Sequence, residues 1–248
     1  MSETFDLRVE LPAALAGPAA AWRFVERFAA HLGAPVGPDD GYAEAEIAAA
    51  ELRLGLRLPQ AMRELYGRFG RRHDLLHGLR MLLPPEDLEA DGTALLWQAE
   101  KFWLYRIAVP LDRIAESDPP VLIDGSSPEY DDWEPFAGRF SALCVETVMS
   151  ENSLCDDWGG WRREKLDTDA AYLEQSLTPI PPLIAPGGAP SGQDSADRWY
   201  AGADVLVHED RSDEESEWGW LYVRALTREA WDDLRTALPG PWTETVDH

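Results

Sequence analysis

The chain reads as an α+β protein on three observations. Ala45–Gly70 carries two helical stripes joined by a hinge. Residues 79–125 carry a series of short strand patterns, and the tail from Trp199 runs strand, strand, helix. In the hinged pair, Ile47, Ala50 and Leu54 share one face. Met62, Leu65, Tyr66 and Phe69 follow at i, i+3, i+4 and i+7. Gly55 suits a left-handed C-cap, Pro59 suits the first helical position, and Gly70 repeats the stop signal.

The other elements follow in order. Phe5, Leu7, Val9 and Leu11 alternate with polar residues and predict a short edge strand before Pro12. From Pro18 a helix is expected, with Trp22, Val25, Phe28, Ala29 and Leu32 on one side and Gly33 ending it; Pro35–Gly41 reads as a linker. Leu79–Leu83, Ala94–Trp97, Phe102–Val109 and Pro119–Gly125 read as strands or their flanks, with a turn at Gln98–Lys101. Apolar side chains fall on both faces of Phe102–Val109, as in the middle of a sheet. Phe140, Leu143, Cys144, Thr147 and Val148 form the stripe of a helix ending near Asn152. Residues 156–195 are loop-rich, with one helix from Asp169 to Ser176 and a Pro/Gly-rich stretch from Pro179 to Gly192. Trp199–His208 and Trp218–Leu226 predict two strands joined by an acidic loop. Thr227 is placed to N-cap a last helix, with Trp231, Leu234 and Leu238 inside. The expected organisation is an N-terminal extension (1–41), a core domain (42–155), a loop-rich linker (156–195) and a β-β-α extension (196–248) packed on the core.

Composition bounds the function. With 248 residues and 45% hydrophobic content the chain can bury a sizeable core. Its net charge of −24 makes nucleic acid a poor partner and a basic protein a suitable one; solubility alone accounts for the charge equally well. Two cysteines, Cys144 and Cys155, make no disulfide or metal framework. Cys144 lies on an apolar stripe, as a buried structural thiol does. No apolar run reaches membrane-spanning length and no leader is evident, so a cytoplasmic location is expected.

The hinge resembles the signature of the SUKH superfamily, the Smi/Knr-like domains. The matching positions are Ile47, Glu51, Leu54, Gly55, Leu58, Pro59, Tyr66, Phe69 and Gly70. Leu79–Leu88 resembles the family's first strand and acidic turn. Asp118-Pro119-Pro120-Val121 and Trp133-Glu134-Pro135 are similar to bacterial members. The similarity covers about residues 43–152; Gln98-Ala99-Glu100-Lys101 departs from it, lacking the Asn-Gln pair found there in many members. The resemblance implies an antiparallel sheet packed against N-terminal and C-terminal helices. It also implies a non-enzymatic binding role, that of an immunity protein neutralising a bacterial toxin domain, with a regulatory or scaffold module as the alternative.

Chemistry-bearing motifs are sparse. His73 and His77 stand at i, i+4, but the Glu of a zinc helix is missing, so an exposed helix end is the favoured reading over a metal site. There is no phosphate-binding glycine loop and no nucleophile elbow, and neither catalytic residues nor a cofactor are expected. Partner contact is assigned instead to two acidic, Trp-bearing clusters: Asp131, Asp132, Trp133 and Glu134, and Asp213, Glu214, Glu215 and Trp218. The competing reading of each is a solvated loop beside core tryptophans. Arg53, Arg57, Arg63, Arg68, Arg71, Arg72 and Arg80 concentrate near the hinge, where they are expected either to pair with the acidic tail or to meet an acidic partner.

Overall fold

The computed structural model describes residues 5–124, 133–154, 160–166, 168–181, 198–211 and 219–244. In chain order these form α1 (Leu7–Ala14), α2 (Pro18–His31), α3 (Glu44–Leu54), α4 (Gln60–Phe69), α5 (His73–Leu76), β1 (Arg80–Leu82), β2 (Glu89–Asp91), β3 (Ala94–Glu100), β4 (Arg106–Pro110), β5 (Val121–Asp124) and β6 (Glu134–Ala137). There follow α6 (Phe140–Leu154), β7 (Gly160–Glu164), α7 (Asp169–Ser176), β8 (Thr178–Ile180), β9 (Arg198–Ala201), β10 (Val205–Arg211), β11 (Gly219–Ala225), α8 (Arg228–Ala237) and β12 (Thr243–Glu244). The fold is α+β, with two antiparallel six-stranded sheets. The described residues fall into two compact units. One is Ala14–Glu151; the other comprises residues 5–13, 152–181 and 198–244.

In the first unit the sheet order is β1-β3-β4-β5-β6, with β2 also on β3. The hinged pair is built as its stripes predict. Met62, Leu65, Tyr66 and Phe69 are buried, Trp22 of α2 packs on Phe69 with ring centroids 5.9 Å apart, and the Tyr66 hydroxyl donates to the Leu83 carbonyl at 2.7 Å. Gly55 closes α3 with φ 69°, the left-handed cap expected of it. Glu51 latches the hinge: its carboxylate accepts the Leu58 amide at 2.9 Å and pairs with Arg63 at 2.6 Å. Burial opposes the charge of Glu51, but these bonds outweigh it and hold the carboxyl below its ordinary range.

Gly70 serves a different purpose from the one its position suggests. Its φ is −57°, an ordinary helical value, so conformation does not require glycine. Space does: a Cβ there would stand 2.6 Å from Tyr42 Cδ2 and 2.8 Å from the Tyr66 carbonyl oxygen. Gly70→Ala should therefore cost about 1–3 kcal/mol, read as a lower urea midpoint with an unchanged slope.

α6 lies against this sheet. Every residue from Phe140 to Glu151 is buried, which is why its apolar stripe is broader than a surface helix needs. Asp118 caps its start, accepting from the Ser141 amide at 2.8 Å and the Ser141 hydroxyl at 2.7 Å. Cys144 is buried on it, and burial pushes its thiol well above the ordinary range.

The second unit is ordered β12-β7-β11-β10-β9-β8. One face carries Val205, Val207, Leu221 and Val223, which form a core with Leu173 of α7 and Trp231 and Leu234 of α8. α7 spans the predicted residues. Thr227 caps α8 as expected, its hydroxyl accepting the Ala230 amide at 3.1 Å. The tail is β-β-β-α rather than the expected β-β-α: the strand expected over Trp199–His208 turns at Gly202–Asp204 into β9 and β10, which pair antiparallel, and the sheet also recruits β7 and β8 from the stretch read as loops.

Four local expectations are corrected. Residues 7–14 are helical, because Leu7 and Leu11 at i, i+4 satisfy burial while Val9 faces solvent at 65% exposure. Gln98–Lys101 is not a turn: Gln98 and Glu100 lie in β3, fully covered. The turn falls instead at Phe102–Leu104, within the expected strand, and β4 begins at Arg106. Among the described residues, four of the hinge arginines have local partners: Arg63 pairs with Glu44 and Glu51, Arg68 with Glu26, Arg71 with Glu46, and Arg72 with Asp40 and Asp74.

Candidate protein-interaction surface

Among the described residues, four of the eight exposed large hydrophobic side chains gather at one place, while Val9, Leu52, Leu166 and Trp220 stand singly. Phe102 is 68% exposed, Trp103 56%, Leu104 72% and Leu79 44%. The first three form the tip of the β3–β4 connection. Leu79 precedes the edge strand β1, and the Lys101 amide donates to its carbonyl at 2.8 Å, which ties the two segments together. The register continues that contact, with Arg80 opposite Glu100 and Leu82 opposite Gln98. Scattered apolar side chains are normal on a surface; a run of three beside a fourth calls for an explanation.

Two buried carboxylates fix the backbone beneath these side chains. Glu100 Oε2 accepts the amides of Phe102 at 2.7 Å and Leu104 at 3.2 Å, while the Trp103 amide donates to the Glu100 carbonyl at 2.8 Å. All three amides of the tip therefore end on one residue that is itself buried. Glu151 does the same for the neighbouring segment, accepting the Leu79 amide at 2.8 Å and the Arg80 amide at 3.1 Å. Trp103 is held at φ 59°, the one positive-φ residue other than glycine among the described residues. That region costs a bulky side chain about 1–2 kcal/mol. A glycine would relieve the strain, so the indole is retained at a cost in stability.

Below the tip lies an ionic cluster. The buried guanidinium of Arg80 pairs with Glu146 at 2.7 Å and Glu151 at 3.5 Å, and bonds the Ser150 hydroxyl. Burial opposes the Arg80 charge, but the two carboxylates outweigh it and raise its pKa. Burial raises Glu151 in turn, against the pull of Arg80 and the two amides. Tyr105, at the foot of the loop, is pushed up to about 12, chiefly by burial.

His73 and His77 stand beside this cluster with rings stacked at 4.1 Å. Among the described residues no group of three or more His, Cys, Asp or Glu side chains is placed to hold a metal ion. His77 is instead a titrating group. Burial, with the like charge of His73 second, lowers its pKa from 6.5 to about 4, against a hydrogen bond with the Leu82 backbone. The unfolded chain takes up this proton near 6.5 and the folded chain only near 4, so stability falls as pH drops between those values. His77→Gln should flatten that part of the curve, measured as the difference in urea midpoints between variant and parent at pH 7 and pH 4.

The residues assigned to partner contact from sequence are placed differently. Asp131 and Asp132 lie outside the described residues, as do Asp213, Glu214, Glu215 and Trp218. Glu134 is exposed on β6. Trp133 is half-buried, with the Arg106 guanidinium 5.2 Å from its ring centroid; Arg106 also pairs with Asp91 and Asp124. In the other unit, Glu209 is buried, paired with Lys165 and bonded by the Tyr200 hydroxyl at 3.2 Å, and so does structural work. Trp220, one pair from the Arg211–Gly219 end of the β10–β11 pairing, is 42% exposed with Arg162 over its ring at 5.7 Å.

The tip was missed because nothing in its sequence marks a turn. Glu-Lys-Phe-Trp-Leu-Tyr contains no Gly, Pro, Asn or Asp, and its apolar run matches a buried strand. A cleft of about 640 Å³ near the hinge, lined among others by Arg57, Gln60, Arg63, Glu64 and Glu116, offers less. Arg63 is committed to Glu44 and Glu51, Glu116 to Arg113, and Glu64 to Trp22 and Gln60. Against family models, curated proteins and solved structures, the chain finds no match.

Proposed function

We propose that this chain is a non-enzymatic protein-binding module that neutralises a bacterial toxin domain by direct contact, the role implied by the Smi/Knr-like resemblance of its hinge. The observation that supports it is the tip Phe102-Trp103-Leu104: large apolar side chains kept in water on a backbone fixed by a buried carboxylate. Aromatic anchors on a rigid frame are what protein interfaces draw their affinity from. The charge of −24 favours a basic partner and disfavours anionic lipid, the other surface that takes up exposed Trp, Phe and Leu.

The test is to express the products of the adjacent genes, identify one that kills cells, and co-express it with this chain. Protection of the cells and co-purification of a complex are expected. Absence of both overturns the proposal. Sedimentation with phosphatidylcholine vesicles, lost in Trp103→Ala and without any toxin complex, would reassign the tip to a membrane surface.

A further inference from the structure

We infer that the 100–105 loop is a preformed plug for a concave apolar cleft, rimmed by basic side chains, on the toxin partner. The inference rests on the protein-binding reading above and adds the shape and charge of the surface that is bound.

Shape comes first. Phe102, Trp103 and Leu104 are consecutive, and each has more than half of its surface in water. Three neighbouring residues achieve this only on a projecting turn, where successive side chains splay apart. The concavity that covers them must therefore come from the partner. A projecting loop gains little from docking if it must be ordered on contact. Here that ordering is already done. The Phe102 and Leu104 amides are held by the Glu100 carboxylate, the Trp103 amide by the Glu100 carbonyl, and Glu100 by the hydrogen bond its own N–H donates to the Tyr105 carbonyl at 3.0 Å. The strained Trp103 backbone makes the same point, because an unconstrained loop would relax out of φ 59°.

Charge comes second. From 100 to 105 the loop carries two formal charges, and Glu100 is turned inward, so Lys101 is the one facing solvent. The apolar tip can enter a cleft without taking a carboxylate with it. The −24 of the whole chain acts from farther out, on the rim of the cleft and on the approach. The two contributions separate kinetically: the tip sets how slowly the complex comes apart, and the long-range field sets how fast it forms.

The experiment uses the full chain and the toxic product found by the co-expression test above, inactivated by an active-site substitution. Trp103→Ala should weaken binding about 100-fold, nearly all of it in the dissociation rate. Its urea midpoint should not fall, since the indole faces solvent. Glu100→Gln should weaken binding about tenfold while touching nothing in the partner. In the free chain it should also speed hydrogen exchange at the Phe102 and Leu104 amides, which a purely structural role far from the tip would leave alone. Added salt should slow association of parent and Trp103→Ala alike. A Trp103→Ala dissociation rate within about threefold of the parent overturns the plug and leaves the binding reading standing. Association insensitive to salt overturns the basic rim. Failure to form any complex overturns both the plug and the reading beneath it.

Discussion

Arg80→Ala should remove about 3–5 kcal/mol from the unit built on Ala14–Glu151, a large fraction of the stability a domain commonly has. The figure follows from what the substitution leaves behind. Glu146 and Glu151 are both buried, and Arg80 is the cation between them. Without it two carboxylates face each other in a poorly solvated space, and the Ser150 hydroxyl loses its donor. The loss should depend on pH in a definite direction. Burial already raises Glu151, and removing the guanidinium raises it further. A carboxyl whose folded pKa exceeds its unfolded one stabilises the fold below the unfolded pKa and gives that up as pH rises through the folded one. The difference between parent and variant should therefore be greatest at alkaline pH and shrink as the pH falls toward the ordinary carboxylate range. Hydrogen exchange of the β3 amides measures it unit by unit, which matters because two compact units need not unfold in one step. A loss below about 1 kcal/mol at pH 7 would show that the cluster is hydrated and the pairing weak.

Arg80 also ties the core to the surface. The carboxylate that neutralises it, Glu151, accepts the Leu79 and Arg80 amides. The residue opposite Arg80 in the register is Glu100, which holds the tip. Of the two carboxylates that shape the exposed patch, Glu151 thus pairs with the buried cation, while Glu100 stands opposite it in the strand register, and a change at Arg80 should disturb the Leu79 side of the patch without any residue of the patch being altered.

The same cluster shows where sequence reading succeeds and where it stops. Periodicity located the hinged pair, α2, α6, α7 and α8, because an apolar stripe at helical spacing records burial directly. Thr227 and Gly55 were legible because capping chemistry is local. What was not legible is burial of polar groups. Gln98 and Glu100 looked like turn residues and are among the most covered in the sheet. Trp161-Arg162-Arg163-Glu164 looked like a loop and is the strand β7, because the charge of Arg163 is answered by a partner six residues away. A buried ion pair hides a strand from any hydropathy pattern. The tip escapes a sequence reading for the converse reason. Apolar residues at Phe102–Leu104 read as core, and only the carboxylate under them reveals a turn, a pairing between a side chain and three amides that no spacing rule anticipates. The arginine-rich region is an intermediate case: its enrichment was visible, but its neutralisation by local acids needed coordinates.

Asp169→Ala should be the most damaging single change in the second unit, at about 3–5 kcal/mol. Arg163 is fully buried there. Its guanidinium gives two bonds to Asp169, at 2.7 Å and 2.8 Å, and one to the Glu164 carbonyl at 2.6 Å. Asp169 also accepts the Leu166 amide at 2.7 Å, so it fixes the entry to α7 while it neutralises β7. Alanine would remove the counter-charge, two charge-assisted bonds and the cap of that turn at once. The guanidinium would keep its stacking over Trp242, 4.6 Å from the ring centroid, which is worth far less than the carboxylate. Asp169→Asn should fall between parent and alanine, because it preserves shape and the acceptor for Leu166 but not the charge. The informative variant is the double replacement, Arg163→Met with Asp169→Leu. Breaking a buried pair strands a charge, whereas replacing both partners with apolar side chains of similar size strands none. The double variant should thus recover most of what Asp169→Leu alone loses, giving a coupling of about 2–3 kcal/mol in the cycle closed by the single replacements Asp169→Leu and Arg163→Met. The stacked indoles of Trp161 and Trp231, 3.8 Å apart and 6° from parallel, report on the same unit, and their coupled circular dichroism gives the unfolding curve. Additive losses in the cycle would mean that Arg163 finds water or another acceptor once Asp169 is gone. β7 would then owe its place in the sheet to its backbone pairing with β11 rather than to the ion pair.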